Sequence, residues 1–266
     1  MPIADYSRQY IGSLSQTTAG VAGILEHYGD LTLREYTQRL GTVNKAQPLQ
    51  ARDDLIEIAC AQTQRLLGKA QALKLRQRLE QRAVVLTANH HGVDYHPIYV
   101  QGSLVFALPE LLDEDADDSA NVVPVFSFGS ISLNNATFPR GILLHPNAGD
   151  SCPGNFCKIN LFPDHNKQVM VSKAPPITEQ MIGNARRQII RLQQQHQLRD
   201  NVAATLESIL DDEYLDSKVL AAQSYSDQAT LLNASLWRRL FADAVSEKEP
   251  ATAPEFVYLE IESMVS

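Results

Sequence analysis

The run Ala83-Val84-Val85-Leu86-Thr87-Ala88 is apolar or β-branched at both odd and even positions, and it is too short to make a helix of useful length. Side chains alternate between the two faces of a strand, so a run of this kind belongs to a strand covered on both sides. Such a strand needs covering layers, and the chain carries helical patterns before and after it. The expectation is an α/β fold: a central sheet of about four or five strands, an N-terminal helical region and C-terminal helices.

The segment from Asp53 to Glu80 supports the first layer, because Leu55, Ile58, Ala59, Gln62 and Leu66 recur at the spacing of one helix face, with Gly68 as a dividing point. A looser helical stretch runs from Ser15 to Leu40 and breaks at Tyr28-Gly29-Asp30. Further strands are read at Asn121–Phe128, where Pro124 points to an edge or bulged position, at Ile142–His145 and at Lys167–Lys173. Thr178 is the N-cap of a helix whose buried face is Ile182, Ala185, Ile189 and Leu192. Val202 to Val245 is helical with a break near Ser224–Asp227.

The last segment, Phe256-Val257-Tyr258-Leu259-Glu260-Ile261-Glu262, alternates apolar and polar residues. It reads as a terminal strand, as a segment pairing with a partner, or as the end of the N-terminal part of a longer protein. The organisation is taken as one α/β domain over 1–266, with a helical region 1–82, a core 83–200 and a helical region 201–266.

Composition removes several classes of function. A formal charge of −8 argues against nucleic acid as the main partner, since phosphate binding needs a basic face. Three cysteines, Cys60, Cys152 and Cys157, are too few and too odd for a disulfide framework. The N-terminus lacks a basic and an apolar signal region, and no stretch has the length of a membrane span. The chain is therefore expected to be a cytoplasmic, soluble protein acting on a small molecule, as a homo-oligomer or with a C-terminal partner domain.

Chemistry concentrates after the first strand, in Asn89-His90-His91-Gly92-Val93-Asp94-Tyr95-His96, which holds three of the chain's seven histidines. In open α/β sheets, ligands gather at the carboxyl ends of strands. Imidazole exchanges protons near neutral pH, and a carboxylate fixes its tautomer or completes a metal shell. His90, His91 and Asp94 are the catalytic candidates, and adjacent His90 and His91 must face opposite ways in extended chain. In one reading His90, Asp94 and His96 bind a divalent metal ion that activates water for hydrolysis, with His145 as a further ligand.

In the other reading no metal is needed, and a histidine held by Asp94 acts as base in a transfer reaction. Here Asn89-His90...Asp94 and Phe138-Pro139-Arg140-Gly141 resemble two motifs of the glycerolipid acyltransferases, an Asn-His...Asp motif between strand and helix and a Phe-Pro-x-Gly segment that binds phosphate. The resemblance implies acyl transfer with His90 as base. Three residues separate His90 from Asp94 where that family has four, and the likeness covers only these motifs.

Asn89, Asn134, Asn135 and Arg140 are the substrate-binding candidates: the amides offer donors and acceptors, and the guanidinium offers a planar fork for a carboxylate or phosphate. Cys152-Pro153-Gly154-Asn155-Phe156-Cys157 reads as a turn rather than a metal loop, and Trp237 reads as core. The sequence thus favours an enzyme, hydrolase or transferase, acting on a small polar or anionic metabolite. A non-catalytic binding or assembly domain is the competing class.

Overall fold

The computed structural model describes residues 3–32, 35–36, 39, 50–81, 89–94, 100, 102–103, 121–144, 157–242 and 253–265. The chain divides into two compact units, Met1–Pro48 and Leu49–Ser266. In the first unit, α1 (Ile3–Thr17) and α2 (Ala19–Tyr28) are parted at Thr18. Beyond the turn at Gly29, Thr32 and Glu35 cap each other: Thr32 N donates to the Glu35 carboxylate at 2.7 Å, and Glu35 N donates to Thr32 Oγ1 at 3.3 Å.

The second unit opens with α3 (Gln50–Leu67) and α4 (Lys69–Gln81). Gly68 divides them at a φ of 97°, a left-handed value that glycine adopts without steric cost. The face that α3 buries is Ile56, Ala59, Cys60, Gln62 and Thr63, so Ala59 and Gln62 are buried as read. Leu55 and Ile58, expected on that face, are exposed, because the stripe that meets the sheet is rotated by one residue from the stripe read in the sequence. Two overlapping apolar stripes exist on this helix, and the sheet selects between them.

Strands β1 (Asn89–His90), β2 (Val122–Phe128) and β5 (Glu255–Glu260) form a parallel sheet in the order β1-β2-β5. Ser127 stands opposite both Asn89 and Glu260. Both faces are covered. Val122 and Phe126 of β2 with Val257 and Leu259 of β5 pack on α3 and α4, while Val123, Val125, Phe256 and Tyr258 pack on Trp237. Each large side chain so buried contributes about 1.5–3 kcal/mol. The closing segment is therefore a doubly covered strand rather than a half-solvated alternating one, and Glu260 is buried with it.

Pro124 lies in the middle strand, not at an edge. Along a parallel strand, successive residues direct their peptide groups to alternate neighbours. Phe128 O accepts from His91 N, and Asn121 O accepts from Glu255 N, so even residues of β2 face the β1 side. Pro124 thus withdraws no donor from the β2–β5 ladder. The run Ala83–Ala88 precedes β1 and lies outside the described residues.

A second sheet pairs β3 (Gly141–Leu144) antiparallel with β4 (Cys157–Asn160). The described residues therefore hold sheets of three and two strands. The strand expected at Lys167–Lys173 is instead two 3₁₀ turns, Asp164–Asn166 and Val171–Lys173, joined to the rest by one bridge from Ser132 to Met170. The N–H groups of Lys167, Val169 and Lys173 bond three residues back, while those of Val171 and Ser172 reach Ile131 and Gly129, so local turns interrupt the pairing with 129–134 before it becomes a strand ladder.

Helices close the chain: α5 (Glu179–Gln194), α6 (Asp200–Ile209) running into a π-turn at Leu210–Tyr214, α7 (Ser217–Ala221), α8 (Tyr225–Ala242) and, after β5, α9 (Ile261–Met264). Thr178 caps α5 through Met181 N, and Ile182, Ala185 and Ile189 are buried as read. The break near Ser224 is the start of α8, where Ser224 Oγ accepts from Asp227 N at 3.1 Å. This start brings Tyr225, Ser226 and Asp227 to the carboxyl ends of the parallel strands.

Candidate functional site

Those strand ends enclose His91, which has no exposed surface. Its Nδ1 is 2.7 Å from Ser127 Oγ, and its Nε2 is 3.0 Å from the carbonyl oxygen of Ser226. A carbonyl only accepts, so Nε2 carries the hydrogen and Nδ1 accepts from the Ser127 hydroxyl. Burial pushes the His91 pKa down, against the opposing pull of Glu260, Glu262 and Asp227, and the ring is held neutral. The Ser127–His91 pair has the spacing of a nucleophile and its base, yet both side chains are fully buried. The two bonds of the ring tie β1 and β2 to the start of α8.

Glu260 lies beside it, equally buried. Its Oε2 accepts from the hydroxyls of Ser226 and Ser263, while Oε1 has no hydrogen-bond partner among the described residues. Oε1 rests against Gly129 so closely that a Cβ there would stand 1.8 Å away, which accounts for the glycine. Glu262 takes the N–H groups of Gly129 and Ser130 at 2.7 and 2.9 Å. Partial burial works to raise the Glu262 carboxyl, but these bonds outweigh it and hold it below the usual carboxylate range. Asp227 is met by Arg65 through two bonds of 2.6 and 2.8 Å.

Asp94 faces elsewhere. Gly92 turns the chain at a φ of 149°, and a Cβ at that position would meet Pro139 Cβ at 2.9 Å. Asn233 of α8 then holds both sides of the turn, donating to Gly92 O at 2.8 Å and accepting from Asp94 N at 2.9 Å. Asp94 Oδ2 accepts from the Tyr258 hydroxyl at 2.9 Å, and that hydroxyl accepts from Trp237 Nε1 at 3.2 Å. Burial, and next the Asp94 charge, push the Tyr258 pKa well above its ordinary value, so Tyr258 remains a donor. A cavity of about 370 Å³ opens at Asp94, walled mainly by Ile209, Leu236, Trp237 and Leu240.

The other candidates scatter. His90 is half-buried at the end of β1, and Asn89 is buried near Ser103 Oγ at 3.5 Å. Asn135 folds back to accept from Thr137 N and Oγ1, each at 3.1 Å, and Asn134 is exposed. Arg140 lines a different cavity. His96 and His145, and with them the set His90, Asp94 and His96, lie outside the described residues. Among the described residues, no group of three or more His, Cys, Asp or Glu is arranged to hold a metal ion. No helix among them is long and apolar enough to cross a membrane.

Sequence reasoning missed Ser127, Ser226, Asn233, Tyr258 and Glu260. Only the last two gave a signal, a tyrosine and a glutamate in a segment otherwise apolar enough to be buried. Asn233 sits in a helix with nothing in its neighbourhood to mark it. Comparison of the chain with protein-family models, with curated proteins and with solved structures finds no match.

Proposed function

We propose that the protein binds a small, largely apolar molecule bearing an amine or hydroxyl group in the cavity at Asp94, and that the Asp94 carboxylate accepts the hydrogen bond of that group, the position a base holds in a metal-free transfer. The observation that supports this reading is a carboxylate fixed at the wall of a mostly apolar cavity by a chain of donors, Trp237 to Tyr258 to Asp94. Apolar walls with a few convergent polar groups are the usual make-up of a small-molecule site, and here Asp94 shares the wall with Thr205, Asn233 and Arg239. A base works best when its geometry is set in advance, and both the backbone and one oxygen of Asp94 are set. His91 positions the strand ends and does not meet the ligand. The expected anionic metabolite is less suited to this cavity, since Arg239 in its wall is already paired with Asp212 and Glu213 and a second negative charge beside Asp94 is repelled.

The test uses the chain's only tryptophan, Trp237, which lines the cavity and reports on its filling. Benzylamine, benzyl alcohol and toluene are titrated while its fluorescence is followed. The reading predicts tightest binding for benzylamine and loss of that preference in Asp94→Asn, whose amide oxygen still accepts from Tyr258. Absence of any saturable change, or an amine preference that survives in Asp94→Asn, contradicts it.

A further inference from the structure

We propose that the cavity of about 520 Å³ at the start of α5 binds a polar organic molecule carrying one carboxylate, received by Arg140 and the first turn of that helix. Arg140 stands in its wall with a side chain only 4% exposed. Both of its hydrogen bonds leave from Nη2, to Phe162 O at 3.3 Å and Asp164 Oδ1 at 2.7 Å. Nε is sealed from the cavity with no hydrogen-bond partner, Nη1 makes no hydrogen bond among the described residues and is the donor left for a ligand, and the guanidinium carbon lies 5.8 Å from the centre of the Phe138 ring. A guanidinium has five donors, and burying one with several unused is unfavourable unless something completes it.

A second donor set faces the same space. Met181 N is satisfied by Thr178, whereas the N–H groups of Glu179 and Gln180 have no acceptor among the described residues. Gln180, Asn184 and Met181 all line the cavity, so the positive end of a 16-residue helix opens into it. Glu179 is exposed and is not part of the wall.

Charge sets the class of ligand. Asp164 pairs with both Arg140 and Lys167, so two cations share one carboxylate and one positive charge is left over. That matches a singly charged carboxylate better than a dianionic phosphate. The remaining wall is rich in amides: Asn160 and Gln188 bond each other through Asn160 N at 2.9 Å and Gln188 Nε2 at 2.7 Å, with Asn166 and Asn184 nearby. Such a wall suits a ligand with further polar groups. This cavity shares no lining residue with the one at Asp94, so the two assignments stand or fall separately.

The experiment is a ¹H–¹⁵N NMR titration of the full chain at fixed ionic strength with N-acetylglycine, its neutral amide N-acetylglycinamide, and inorganic phosphate. N-acetylglycine is expected to shift the Gln180, Asn184 and Gln188 signals saturably and to bind about tenfold more tightly than either comparator. Gln180→Glu is the test variant, because Gln180 is exposed while Arg140 belongs to the core. It adds a negative charge at the cavity and is expected to weaken N-acetylglycine by about fivefold or more. Its thermal midpoint stays level or rises, since an acid in the first turn favours a helix. Equal binding of the neutral amide, tighter binding of phosphate, or an affinity unchanged by Gln180→Glu overturns the proposal.

Discussion

Replacing Tyr258 by Phe removes one oxygen atom, which Asp94, Trp237 and Ser103 all meet, and the first two bear most of the cost. Asp94 loses a donor at 2.9 Å, and the Trp237 N–H, 3.2 Å from the same oxygen, loses its acceptor. A hydrogen bond to a charged group contributes about 1.5–3 kcal/mol, and a buried polar group left unpaired costs about 1–3 kcal/mol. Asp94 is half-buried beside a cavity that admits water, so its loss lies at the low end, whereas Trp237 is 5% exposed and has no such relief. The sum is a destabilisation of about 2–4 kcal/mol. Urea unfolding followed by far-ultraviolet circular dichroism measures it, with an unchanged slope as the sign that only stability moved. The losses in Tyr258→Phe and Trp237→Phe should be less than additive in the double variant, because both report on one bond. A loss below about 0.5 kcal/mol for Tyr258→Phe, in the range of an ordinary surface change, refutes the relay.

Other perturbations follow from the buried groups. The His91 pKa is depressed in the folded state, so the unfolded chain binds a proton that the folded one refuses; stability is full above the ordinary value of 6.5 and falls as pH drops below it. Urea midpoints from pH 7.5 to 5 should show this slope, up to about 1.4 kcal/mol per pH unit, reduced in His91→Gln; an equal slope in both proteins contradicts it, with Glu260, Glu262 and Asp227 the charges that face the ring. Gly129→Ala should cost about 1–3 kcal/mol by displacing the Glu260 carboxylate, and much less in a Glu260→Ala background; equal costs would mean the close approach does not matter. Thr178→Ala should cost about 0.5–1 kcal/mol, the low end for an N-cap, since its bond to Met181 N is a long 3.4 Å, and calorimetry showing a larger loss would give that cap more weight than its geometry supports.

Where local pattern and tertiary contact agree, the sequence was legible. Thr178 and the Ile182, Ala185, Ile189 face were read correctly because one helix packs one stripe against one core. Strand Val122–Phe128 was read from its residues, but its central place was hidden, because Pro124 signals an edge and only the pairing order shows on which side its missing N–H falls. Lys167–Lys173 looked like a strand because Val169, Met170 and Val171 form an apolar, β-branched run between polar residues; local three-residue bonds at Lys167, Val169 and Lys173 break the pairing that Val171 and Ser172 make with Ile131 and Gly129. The polar cluster was found, and its division was not. One residue of register, His90 against His91, decides which ring is buried, and Gly92 turns Asp94 away from both. The partners of Asp94 lie 139 and 164 residues along the chain, in Asn233 and Tyr258, beyond the reach of any local motif.

Whether a ligand sits in the cavity beside Asp94 is settled most directly by intermolecular nuclear Overhauser contacts in a methyl-labelled sample saturated with benzylamine. The account predicts contacts from the ring protons to the methyl groups of Ile209, Leu236 and Leu240, and their loss in Asp94→Asn at the same ligand concentration. Contacts confined to other methyl groups, or none at saturation, would contradict it.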